Sequence, residues 1–150
     1  MRVLRSVLGG VCALLIAIPA AAQQRSVAGR VKTVTGEAVI IRAGTTMPAK
    51  VGHELFESDH VRTGSDGRVG LTLQDDTRVS VGPKSEVSLE TFRYEPAEGN
   101  LALALRFVQG AAVYVSGKIA KLAPDAVRLE TPSAIVGVRG TTVAIQVGEP

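Results

Sequence analysis

The sequence predicts an all-β chain: short, mostly antiparallel strands forming a β-roll or sandwich, with a solenoid-like β-helix as the alternative. Three observations predict it. Apolar residues recur with a period of two from Val27 onward. Turn-forming residues separate these runs at intervals of roughly 8–12 residues, the spacing of sandwiches, rolls and barrels. Beyond the N-terminus, no segment sustains the i, i+3, i+4, i+7 spacing of an amphipathic helix.

The first element is not part of that pattern. Arg2 and Arg5 precede an apolar run from Val7 to Ile18, and Pro19 is followed by Ala20 and Ala22 in small-residue cleavage positions before Gln23. This order is that of a cleaved secretory signal over residues 1–22. The apolar run is also short of the ~20 residues that span a bilayer as a helix. The expected domain is therefore residues 23–150, with its core at about 28–147, placed in the periplasm or secreted and not membrane-spanning.

Within that domain, Val69, Leu71 and Leu73 alternate with polar residues, as do Val79 and Val81, Val87 and Leu89, Val113 and Val115, and Val127 and Leu129. Such runs read as half-buried strands. Leu101, Leu103, Leu105 and Phe107 have alanines between the leucines, which predicts a strand buried on both faces. Ser65-Asp66-Gly67, Asp75-Asp76, Gly82-Pro83, Glu98-Gly99-Asn100, Gln109-Gly110, Ser116-Gly117, Ala123-Pro124 and Thr131-Pro132 supply turn chemistry between the runs. The polar stretch from Phe92 to Asn100 is expected to be a mobile connection.

Composition narrows the function. The single cysteine, Cys12, falls in the signal, so the mature chain has no disulfide, thiolate metal site or cysteine nucleophile. Removing Arg2 and Arg5 leaves 15 basic residues against 14 acidic ones, which lowers the net charge from +3 to +1. A nucleic-acid partner loses its main support with that charge. The aromatics are Phe56, Phe92, Tyr94, Phe107 and Tyr114, a thin supply for stacking on bases or sugars.

The stretch Thr131-Pro132-Ser133-Ala134-Ile135-Val136-Gly137-Val138-Arg139-Gly140-Thr141 resembles the closing motif of the FecR domain, loosely T-P-x-A-x-x-G-V-R-G-T. Gly52, Leu55, Asp59, Val61, Thr63 and Gly64 are similar to an earlier motif of that family, with Ser58 where glycine is usual. Leu73, Asp75, Thr77, Val79, Pro83 and Ser85 are similar to a middle one, with Asp76 at a usual glycine position. The resemblance covers roughly residues 28–147 and implies the periplasmic module of sigma-factor regulators of the iron-citrate type. Those regulators carry a cytoplasmic region and a membrane span before the module, and a receptor-contacting segment after it. Only about six residues precede the apolar run here, so the expectation is a stand-alone exported domain without direct sigma regulation.

The site residues singled out are Asp59, Thr63, Gly64, Thr131, Pro132, Ala134, Gly137, Val138, Arg139, Gly140 and Thr141, read as a fold signature. Arg139 is expected to form an internal ion pair that pins two strands, with Asp59 as its partner, because an unpaired buried charge is costly. The functional alternative for Arg139 is a carboxylate or anion contact. Gly137 and Gly140 are expected to supply unusual dihedrals or a close strand approach. His53 and His60 flank Glu54, Glu57 and Asp59 without the helical pairing of a zinc site. No catalytic, cofactor or metal residue is assigned, and the chain is expected not to be an enzyme. It is expected to act as a protein-interaction, signalling or scaffold module of the periplasm or cell envelope, with an envelope protein recognised at a surface or sheet edge; glycan or peptidoglycan binding is the alternative.

Overall fold

The structure, a computed structural model, describes residues 25–148, so the expected signal segment lies outside the described residues. The alternating runs form β1 (Val27–Thr35), β2 (Ala38–Arg42), β3 (Thr45–Pro48), β4 (Glu54–Phe56), β5 (His60–Thr63), β6 (Arg68–Leu73), β7 (Arg78–Val81), β8 (Glu86–Glu95), β9 (Asn100–Val115), β10 (Val127–Glu130), β11 (Ile135–Gly137) and β12 (Thr142–Val147). One short helix, α1 (Lys118–Leu122), follows β9. The fold is all-β, as the alternation predicts, and the sheet curls into a half-barrel.

The register explains the curl. The first half of β9 pairs with β8 (Val87 opposite Phe107), and its second half pairs with β7 (Val79 opposite Tyr114). β7 and β8 therefore run end to end along one side of β9. Against them β6 pairs with β7 and β5 with β8, and against those β1 pairs with β6 and β2 with β5. The result is an antiparallel meander of long strands, each broken once, folded along the row of breaks. Leu71, Leu73 and Val79 of one half face Val61, Val87, Leu89 and Leu105 of the other across the core. Burying each such side chain contributes ~1.5–3 kcal/mol. Among the described residues, the one parallel pairing sets β10 beside β9, with Leu129 opposite Leu105.

Polar side chains hold the fold line. Thr63 Oγ1 donates to the Gly82 carbonyl at 2.6 Å and accepts from the Ser85 amide at 3.0 Å. Ser85 Oγ accepts from the Ala111 amide at 2.9 Å, and the Gly64 amide donates to the Glu37 carbonyl at 2.8 Å. These bonds satisfy backbone groups that the interrupted ladders leave free.

Three readings of the sequence change here. Gln109-Gly110 is not a turn: Gly110 sits inside β9 with φ +81°, and the ladder with β8 shifts register beside it. Such a bulge bends a strand without ending it. The stretch from Phe92 is strand as far as Glu95, with Phe92 buried, because β8 follows β9 to its start. Between Leu101 and Phe107 the leucines point inward but Arg106 is exposed, so β9 is not buried on both faces.

Candidate functional site

Asp59 ends the β4–β5 turn and is 1% exposed. The β2–β5 ladder sets Ile40 opposite Val61 and Ile41 opposite His60, so one further step places Arg42 opposite Asp59. Arg42 Nε and Nη2 donate to Asp59 Oδ1 and Oδ2, both at 2.8 Å. Arg42 Nη2 also reaches the Glu54 carbonyl at 2.9 Å, and the Phe56 amide donates to Asp59 Oδ2 at 2.9 Å. The guanidinium lies 4.5 Å from the centre of the Phe56 ring. Hydrogen bonding and charge from Asp59 raise the Arg42 pKa above its ordinary value, against the opposing effect of desolvation.

Arg139 is therefore not the partner of Asp59. It is exposed, and among the described residues it forms no ion pair. Val138 beside it takes the core position of this loop, at 3% exposed, and Arg139 is left facing solvent. Two bonds fix the loop, from Ser116 Oγ to the Gly140 carbonyl at 2.6 Å and from the Ser116 amide to the Thr141 carbonyl at 2.8 Å.

The rest of the closing motif also faces solvent. The Thr131 amide and the Ala134 carbonyl close a turn at 2.8 Å, and Thr131 Oγ1 accepts from the Ala134 amide at 3.1 Å. Pro132 lies exposed within that turn. β11 pairs with β10, which sets Val136 opposite Leu129. Ile135 is 62% and Val136 39% exposed, so β11 is not the buried strand its apolar run suggests. Neither Gly137 nor Gly140 has a positive φ, and a Cβ at either would meet nothing. The local fold does not require glycine there.

Arg139 stands between two adjoining clefts of about 500 Å³ each. Ser116, Lys121, Asp125 and Val138 line one; Asp125, Arg128, Ile135 and Val136 line the other. α1 places Lys121, and Asp75 places α1: its carbonyl accepts from the Lys118 amide at 2.7 Å and its Oδ2 from the Ile119 amide at 3.2 Å. The site thus carries three cations and one carboxylate around exposed aliphatic side chains. A larger groove of about 720 Å³ runs over the outer face, lined by small side chains including Gly70, Ser80, Val113 and Ala144. It holds no converging set of titratable groups.

Among the described residues, no three His, Cys, Asp or Glu side chains gather as a metal site. His60 Nδ1 lies 3.3 Å from Glu86, and His53 Nδ1 is buried without a partner among the described residues. No described helix is long and apolar enough to cross a membrane.

The family model for FecR protein matches residues 59–150. The match opens at Asp59, so Gly52, Leu55 and β1–β4 precede it, although β1 and β2 pair directly with the matched strands. No curated protein and no solved structure matches. The matched region is well over half of the chain, and the protein belongs to the FecR family, a family of regulatory and signalling proteins.

Proposed function

We propose that the protein is exported through the signal at residues 1–22 and acts in the periplasm or cell envelope as a non-enzymatic interaction and signalling module. The observation that carries this reading is the orientation of the closing motif. Ile135, Val136 and Arg139 lie together at a sheet edge and face solvent. Exposed aliphatic side chains beside unpaired charges fit a contact surface, and an exposed strand edge offers backbone groups to a partner. In the other motifs, Asp59, Thr63 and Ser85 are consumed by internal bonds.

Affinity capture from envelope extracts, run beside co-sedimentation with purified cell wall, tests the proposal. A discrete protein retained by the chain is the expected outcome. Sedimentation with cell wall and no retained protein would instead assign a glycan ligand.

A further inference from the structure

We propose that the free edge of β11 takes up an extended acidic segment of a partner protein, with its carboxylates seated on Arg139, Arg128 and Lys121. This deepens the reading of the chain as an interaction module and rests on it. Four features converge. β11 pairs with β10 alone, so among the described residues its other edge is unpaired. Ile135 and Val136 project to opposite faces of the strand, and both are exposed. The three cations have no ion-pair partner among the described residues and outnumber Asp125, the carboxylate lining both clefts. Gly137 and Gly140 leave bare backbone where the fold itself has room for a side chain.

The occupant follows from the chemistry. A peptide added to a sheet edge gains affinity from main-chain hydrogen bonds and specificity from alternate side chains. Guanidinium groups select carboxylates on those side chains. A second copy of this chain fits less well, because two-fold pairing through β11 brings patches of the same sign together.

Selection from a displayed library of random dodecapeptides on the full chain tests the inference. The enriched sequences should alternate apolar residues with Asp or Glu. Their affinity should fall by roughly tenfold or more in Arg139→Glu, and fall with rising salt. The melting temperature of that variant should match the parent, since Arg139 is exposed. Failure of any sequence to enrich, enrichment of basic or neutral peptides, or full retention by an Ile135→Lys, Arg139→Glu double variant would overturn it. So would concentration-dependent self-association that Ile135→Lys abolishes. An envelope protein that binds Arg139→Glu as well as the parent leaves the interaction reading standing and removes this one.

Discussion

Arg42 and Asp59 form a two-point ion pair one ladder step beyond Ile41 and His60, at the end of β2 and the start of β5. The pair ties the β4–β5 turn to β2, and Phe56 stacks on it. Removing one partner of a buried pair leaves the other charge uncompensated, at a cost of about 3–5 kcal/mol. Arg42 keeps 27% of its side-chain surface in water, which places Arg42→Ala at the lower end of that range. Urea denaturation should show a loss of about 3 kcal/mol for this variant. Arg139→Ala should stay within about 0.5 kcal/mol of the parent, as an unpaired surface residue does.

Ser58 and Asp76 stand where the family pattern has glycine, and both adopt the left-handed conformation, with φ +72° and +67°. Ser58 is the third residue of a turn closed by the Asp59 amide and the Phe56 carbonyl at 3.1 Å. Glycine is preferred at such a position, because a side chain costs about 1–2 kcal/mol there. Ser58→Gly should raise stability by about 0.5–1 kcal/mol once the extra freedom of the unfolded glycine is counted. Asp76→Gly should be nearly neutral: aspartate tolerates this conformation better, and Asp76 pairs with Lys118 at 2.8 Å. Thermal melts of the two variants check the difference.

The fold line predicts a contrast between glycines. Gly110→Ala forces a Cβ against Ser85 at a positive φ and should destabilise by about 2 kcal/mol or more. Gly140→Ala, where the Cβ meets nothing, should be silent in the same melt. Thr63→Val strips the Ser85 amide of its buried acceptor and should cost about 1–3 kcal/mol.

Tyr114 is fully buried, and its hydroxyl has no hydrogen-bond partner among the described residues. Burial pushes its pKa up; Ser116 and Thr77 lie close enough to oppose the shift but not in bonding geometry. The folded state therefore holds this proton more tightly than the unfolded chain. Stability from that difference is complete below the ordinary tyrosine pKa, and it is lost as pH rises through the folded value. An absorbance titration should show a phenol ionising above the usual range, and Tyr114→Phe should remove it without loss of stability at neutral pH.

The all-β class and the runs that became β6, β7, β8 and β10 were legible because each keeps its period of two; the number of strands was not, since β9 reads as two runs across Gln109-Gly110. The meander's fold line was not. Glycine at position 110 reads equally well as a turn or as a bulge, and only a long-range partner, Ser85, decides between them. Helix α1 spans five residues, too few to show a helical period, and its first turn is held by Asp75 from a distant hairpin.

The misassigned arginine had a signal of its own. Ala38, Ile40 and Arg42 share one face of β2, so Arg42 continues a buried row and needs an internal partner. Asp59, Val61 and Thr63 form the matching row on the neighbouring strand. Val138 takes the buried position of the loop after β11, and Arg139 beside it faces solvent. Asp59 and Arg139 belong to two different motifs, and motif membership carries no information on distance; the matching buried rows of β2 and β5 point to Arg42.

The most direct test of the account is envelope capture by the parent chain and by the Ile135→Lys, Arg139→Glu double variant, with both confirmed to melt at the same temperature. The account predicts a discrete protein held by the parent and lost from the variant. Identical captured proteins from both chains would contradict it.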